Sequence, residues 1–99
     1  MKTIIGDLDK VLESRIRLAV MSILAVNDVM EYPALKDLLD ITDGNLASHI
    51  AVLERRKYVS VRKRFIGRKP VTMYSITHTG RRAFTMHVDA LEKLIRHSR

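Results

Sequence analysis

The sequence predicts a mainly helical α+β domain with one small β-hairpin, in the order α-α-α-β-β-α. Apolar residues recur every three or four positions in four separate segments, which is the period of an amphipathic helix. Over 59–76 the period changes to two, which is the period of a strand. Ninety-nine residues with 46% hydrophobic content fit one domain, over 1–99, with a modest core.

The first predicted helix covers 7–26. Apolar residues fall on one of its faces at three- and four-residue spacing, whereas most charged residues fall off that face. The apolar face consists of Leu8, Val11, Leu12, Ile16, Ala19, Val20, Ile23 and Leu24. Such a stripe is typical of a helix that packs against a core.

Two shorter helices are predicted next, over 33–40 and 43–57. Pro33 suits the first turn of the earlier helix, because its missing N–H would have no helical partner there. Thr42 or Asp43 can cap the later helix through a side-chain oxygen. Two short helices joined by a few residues form a helix-turn-helix.

A β-hairpin is predicted over 59–76, with its turn over 66–70. A short extra strand is expected near residues 31–33. The last predicted helix covers 79–97 and again has an apolar stripe, made of Phe84, Val88, Leu91, Leu94 and Ile95.

Positive charge is concentrated in residues 55–69. This window holds eight basic residues and no acidic residue, whereas the rest of the chain holds 10 basic and 11 acidic residues. It therefore supplies the whole of the formal net charge of +7. A solvated surface without a partner would mix the two signs, so this window indicates a polyanion, and DNA in particular.

Two segments make the chain resemble a known family. Residues 42–50, followed by Leu53, are similar to the recognition helix of MarR- and ArsR-type repressors. Residues 67–70, followed by Tyr74 and residues 80–81, are similar to the hairpin, or wing, of the minimal MarR-like proteins. The chain thus resembles a winged helix-turn-helix transcriptional regulator over nearly its whole length. The resemblance implies binding to double-stranded DNA and assembly as a homodimer.

Helix geometry selects the residues that can read DNA. With the apolar face of the 43–57 helix inward, a step of about 100° per residue turns a small, polar face outward. Asn45 on that face can pair with adenine or bind a phosphate, and Ser48 can donate or accept. Arg55 is expected to contact a phosphate. His49 lies at the flank, where it either contacts a base or packs; for Asn45 and Ser48 the alternative is ordinary solvated surface.

The hairpin supplies the remaining candidates. Arg62 and Arg64 are expected to point away from its buried face and to straddle a DNA backbone. Arg68 and Lys69 at the tip are expected to reach an adjacent minor groove, where the negative potential is concentrated and a planar guanidinium fits.

Both ends of the chain carry apolar residues beyond the needs of a small core. We expect a two-fold partner to cover them and to place two recognition helices ~34 Å apart on a palindromic site. The alternative is that both ends fold back onto their own domain. The predicted interface residues are Ile4, Ile5, Leu8, Val88, Leu91, Leu94 and Ile95.

No catalytic site, cofactor or metal is predicted. No two of the four histidines are three or four positions apart, and cysteine is absent. The longest apolar stretch, over 18–26, is far shorter than the ~20 residues of a membrane span, so we expect a cytoplasmic protein with no membrane partner. The sequence also allows a pocket for an unknown small-molecule effector. Such a pocket would lie between the first and last helices and be lined by Met86 or His87.

The sequence therefore predicts a homodimeric, sequence-specific repressor. The alternative is a winged-helix module that binds RNA or acts as a protein-assembly adaptor. Readers of single-stranded RNA normally expose aromatic residues, and this chain has only 5% of them. An adaptor would show little salt dependence, whereas about four phosphate contacts per protomer give a dimer a log–log salt slope of about −7.

Overall fold

The computed structural model describes residues 1–97, so the last two residues of the predicted 1–99 domain lie outside the described part. Its elements in chain order are α1 (Lys2–Gly6), a 3₁₀ helix (Lys10–Glu13), α2 (Arg15–Val26), β1 (Met30–Glu31), α3 (Tyr32–Leu39), α4 (Asp43–Arg55), β2 (Val59–Ile66), β3 (Lys69–Ile76) and α5 (His78–His97). The predicted α+β class is confirmed, with three main helices before a hairpin and one after it.

The predicted helix over 7–26 is wrong in its first half, because two polar side chains interrupt it. The carboxylate of Asp9 accepts a hydrogen bond from the N–H of Val11 at 2.9 Å and begins the 3₁₀ helix. The hydroxyl of Ser14 accepts one from the N–H of Arg17 at 3.3 Å and begins α2. Such local bonds compete with helical backbone bonds, so the helix breaks although the apolar spacing continues.

The helix-turn-helix of α3 and α4 is set by local capping. Pro33 lies in the first turn of α3, and Asp40 ends that helix with a left-handed φ of 51°. The hydroxyl of Thr42 accepts a hydrogen bond from the N–H of Asn45 at 3.3 Å, so Thr42 caps α4. The apolar faces of both helices are buried through Leu35, Leu46, Ile50 and Leu53.

The sheet has three antiparallel strands in the order β1-β3-β2, so the extra strand is confirmed. Strands β2 and β3 pair without interruption as far as Ile66 and Lys69, which leaves only Gly67 and Arg68 in the turn. This turn is shorter than the predicted one over 66–70. Gly67 has a φ of 64° at the first central position, which a two-residue hairpin turn favours and glycine adopts without strain.

The wing, which is the hairpin of β2 and β3, leaves the body of the molecule. The core lies between the helices and the base of the sheet, and it consists of Leu12, Val20, Met21, Leu24, Leu35, Leu46, Ile50, Leu53, Tyr58, Val59 and Tyr74. Every residue over 62–70 is exposed. The molecule is accordingly elongated, 55 × 25 × 21 Å.

The junction between α4 and the wing is tied to both ends of the chain through Tyr58. Its hydroxyl donates to the carboxylate of Asp9 at 2.5 Å, and the Asp9 N–H donates to Nδ1 of His87 at 2.9 Å. Burial raises the pKa of the Tyr58 hydroxyl, and its bond to the Asp9 carboxylate raises it further. The guanidinium of Arg56 lies 5.7 Å from the centre of the Tyr58 ring. His87, only 2% exposed, is therefore part of this network and does not line an open pocket.

The two ends partly fold back onto their own domain. Helix α1 packs against α5, and Ile4 is buried in this contact, with Leu8, Leu91 and Leu94 half-buried. The other three predicted interface residues remain on the surface: Ile5 is 56% exposed, Val88 38% and Ile95 63%.

Candidate nucleic-acid interface

The recognition helix α4 and the wing lie side by side. A groove of about 380 Å³ separates them, lined from the helix by Ala47, Ala51 and Glu54 and from the sheet by Val61, Lys63 and Thr72. The two elements that the sequence singles out therefore form one continuous surface.

The N-terminal half of α4 presents small and polar side chains to solvent. Gly44, Asn45, Ala47 and Ser48 are all exposed. The Ser48 hydroxyl donates to the carbonyl oxygen of Asn45 at 3.0 Å, which leaves its lone pairs available. Within residues 1–97 no hydrogen bond engages the Asn45 side-chain amide. Both polar groups can therefore meet a ligand on this face.

The start of α4 is held by α3 through contacts that the sequence did not suggest. The Tyr32 hydroxyl donates to the carboxylate of Asp43 at 3.0 Å, and the Lys36 ammonium lies 3.1 Å from the same carboxylate. The bonds from Lys36 and then from Tyr32 lower the pKa of Asp43. A negative charge in the first turn also suits the positive end of the helix dipole. These exposed contacts connect the first turn of α4 to α3, whereas the buried face of Leu46, Ile50 and Leu53 anchors the helix as a whole.

His49 lies against α2 and is half-buried. The guanidinium of Arg17, which also donates to the Val11 carbonyl oxygen at 2.7 Å, lies 3.0 Å from Nδ1 of His49. An arginine can only donate, so Nδ1 accepts and the imidazole is neutral. Burial, followed by the nearby positive charge of Arg17, lowers the pKa of His49. This environment favours the packing role over a base contact.

The eight cations of the 55–69 window are all exposed. Neither ion pair within residues 1–97 uses any of them. The strand register places Arg62 and Arg64 opposite Met73 and Val71, on the sheet face that points away from Val61. Arg68 lies in the turn itself. The wing thus carries positive charge on its far face and at its tip.

Lys63 is a further candidate site residue, absent from the residues predicted from the sequence. It shares a sheet face with Val61 and lies in the groove beside α4. The sequence contained a sign of this role. Val59 and Val61 lie on one face of β2, and the next residue on that face is a lysine instead of an apolar residue. Its ammonium group therefore places a positive charge in the groove between α4 and the wing.

A comparison with known families identifies this arrangement. Residues 16–95 match the family described as a winged helix DNA-binding domain, and the chain belongs to this family. An uncharacterized protein of Methanocaldococcus jannaschii is 33% identical over 79 residues, which are 80% of this chain and 86% of that protein.

Solved structures agree with this assignment. The transcriptional regulator homologue of Pyrococcus horikoshii OT3 superposes with a TM-score of 0.85 at 32% identity, over 96% of this chain and 92% of that one. A MarR-family protein of Porphyromonas gingivalis W83 has the same fold, with a TM-score of 0.69 at 17% identity, over 85% of this chain and 80% of that one. The predicted resemblance to MarR-like winged-helix proteins is confirmed at the level of the fold.

Two further structural findings concern residues 1–97. No helix among them is long and apolar enough to cross a membrane. No group of three or more His, Asp or Glu side chains among them is placed to hold a metal ion.

Proposed function

We propose that this protein is a sequence-specific transcriptional regulator that binds double-stranded DNA as a homodimer and represses by occluding a promoter. The observation that carries the proposal is the single surface formed by α4 and the wing around a common groove, with eight exposed cations and no acidic residue in its basic window. Such a regulator acts beside the chromosome, so the proposal includes a cytoplasmic location.

In the proposed complex, α4 enters the major groove. Asn45 and Ser48 lie on its slim outward face and contact base edges, because small neighbours allow a close approach. Arg55 and Lys63 contact the phosphates on either side of the α4–wing groove. The basic wing residues Arg62, Arg64, Arg68 and Lys69 extend the contact along the backbone and into the adjacent minor groove.

The proposed dimer uses the outer surface of α1 and α5. Ile5, Val88 and Ile95 remain exposed there, although Ile4 beside them is buried within the protomer and Leu91 and Leu94 are half-buried. Covering the parts of these side chains that remain exposed is favourable by roughly 25 cal/mol for each Å² of apolar surface removed from water. A two-fold contact through α5 would pair two recognition helices on a palindromic operator.

A hollow of about 490 Å³ lies on another side of α5 and offers a place for an effector. Its lining includes Asp7, Arg81, Met86 and Lys93. Of the two residues expected to line an effector pocket, only Met86 does so. An acidic or zwitterionic small molecule would suit the mixed charges of this lining.

The proposal is tested by selecting bound fragments from a pool of random duplexes. We expect a preferred palindromic site, with half-sites one turn apart, and affinity that falls with salt with a log–log slope of about −7. Recovery of no preferred duplex would contradict sequence-specific binding. Tighter binding to single-stranded RNA, or salt-independent binding to a protein partner, would favour the RNA or adaptor alternative.

The base-reading role of α4 is tested with Asn45→Ala and Ser48→Ala. Each variant is expected to lose about 1 to 3 kcal/mol of discrimination at particular positions of the selected site while keeping its affinity for unrelated duplexes. Ser22→Ala, at an exposed position of α2, serves as the control and should leave the preference unchanged. An equal loss on every duplex would show that these side chains do not read bases.

The dimer surface is tested with Ile95→Glu. A charge placed in an apolar contact must be desolvated, so the variant should dissociate into monomers at micromolar concentration. Sedimentation equilibrium measures the change, and Leu38→Glu, an exposed site on α3, is the control that should stay dimeric. A wild-type protein that is monomeric throughout this range would contradict the dimer.

A further inference from the structure

The tip of the wing carries an exposed aromatic side chain within a strongly basic segment. Phe65 is 72% exposed, at the end of a strand in which the three preceding residues are Arg62, Lys63 and Arg64. Its partner across the hairpin is Pro70. Leaving a phenylalanine in water is unfavourable by roughly 1.5 to 3 kcal/mol relative to its burial, so a partner that covers it gains that free energy.

The register determines the direction in which Phe65 faces. Residues two apart on a strand share a sheet face, so Phe65 lies on the same face as Val61 and Lys63. That face borders the groove beside α4. Phe65 therefore faces the side on which the proposed DNA complex forms, whereas the neighbouring Ile66 faces the other side.

The surroundings of Phe65 select a polyanion as the occupant. Lys63 shares the sheet face of Phe65, Arg68 lies in the adjoining turn, and Arg64 and Lys69 lie close by on the opposite face. All four are exposed, and no acidic residue lies within the 55–69 window. Proteins that bind the minor groove combine cations at the phosphates with apolar wedges between base steps, and the wedge bends the duplex. A rigid two-residue turn at Gly67 and Arg68 would carry such a wedge without a flexible loop.

We propose that Phe65, supported by Pro70, enters the minor groove beside the recognition helix and partly unstacks one base step. The inference rests on the proposed function, because it names how the same surface deforms duplex DNA. Pyrimidine–purine steps unstack most easily, so the selected site should carry such a step beneath each wing. Specificity then arises at a position that no polar side chain touches.

The test compares wild type with Phe65→Ala on the duplex recovered from the random pool. Loss of one stacking contact should weaken binding about 10-fold or more. The salt slope should stay unchanged, because an apolar contact releases no counterions. With 2-aminopurine placed at successive positions, wild type should raise the fluorescence at one step under each wing, and Phe65→Ala should not. Phe65→Trp should retain both effects.

Two comparisons make the outcomes decisive. Val26→Ala shortens another highly exposed apolar side chain, at the end of α2, and should behave as wild type. If wild type shows the preferred site and the salt slope but Phe65→Ala binds equally well and unstacks equally, the wedge is refuted and the DNA-binding function stands. If no duplex is preferred at all, the proposed function itself fails. Loss of binding to phosphatidylserine vesicles in Phe65→Ala, with unchanged affinity for the duplex, would assign Phe65 to a membrane surface and refute the wedge.

Discussion

Replacing Gly80 with alanine is expected to destabilise the protein by about 3 kcal/mol or more, which is the upper range for overpacking of a buried site. Gly80 is buried in the first turn of α5, and a Cβ at this position would lie 2.1 Å from the carbonyl oxygen of Tyr58 and 2.9 Å from its Cα. Backbone atoms cannot turn away as a side chain can. The first turn of α5 and the α4–wing junction would have to separate.

Thermal unfolding measures this effect, and the midpoint should fall by at least about 12 °C for a domain of this size. The matched control is Gly44→Ala, because nothing lies within 4 Å of a Cβ at Gly44 and its backbone is helical. Alanine there should be neutral or slightly stabilising. A Gly80→Ala variant as stable as the control would show that α5 does not approach Tyr58 so closely.

Removing Arg64 and Arg68 together is expected to produce the largest loss of DNA affinity. In the proposed dimer the pair brings four positive charges to the DNA, at the backbone and in the minor groove. Each displaces condensed counterions, so the log–log salt slope should change from about −7 to about −4 without them. The free energy gained from counterion release vanishes near 1 M salt, so the affinities of the wild type and the double variant should converge there. Since the slopes differ by about 3, the variant should bind about 1,000-fold more weakly at 0.1 M salt. The double Ala variant should weaken binding to all duplexes by similar factors.

Titrations at several salt concentrations, on the selected duplex and on an unrelated one, provide the measurement. Lys10→Ala is the control, since Lys10 is an exposed cation on the 3₁₀ helix and lies outside the 55–69 window. It should leave the slope unchanged. A double variant with the wild-type slope would mean that the wing does not contact phosphates.

The sequence predicted most of the fold because the periods of its segments are clear. The hairpin, the helix-turn-helix and the last helix follow from the spacing of apolar residues. The cap at Thr42 follows from its side-chain hydroxyl, which can accept a hydrogen bond from a backbone N–H at the start of a helix. The prediction of one continuous first helix was wrong, because Asp9 and Ser14 form local hydrogen bonds that the spacing of apolar residues does not reveal. A search for capping residues inside the stripe would have found Ser14, which stands directly before the first turn of α2.

The candidate site was predicted less completely, since its remaining features depend on contacts between distant segments. The ties of Arg17 to His49 and of Tyr58 to Asp9 join residues 32 and 49 positions apart. From the sequence alone, nothing distinguishes these polar side chains from those of ordinary solvent-exposed residues. Gly80 is a similar case, because the need for glycine arises from the approach of Tyr58 and not from the turn in which Gly80 lies.

The uninterrupted pairing of β2 and β3 restricts how the wing can change in length. Adding one residue to each strand would advance the tip by about 3.3 Å and would also exchange the two faces, so that Phe65 and Ile66 would trade places. Only a change of two residues in each strand preserves the facing, and it moves the tip by about 6.6 Å. Homologous proteins that keep an aromatic tip should therefore differ in hairpin length by multiples of four residues.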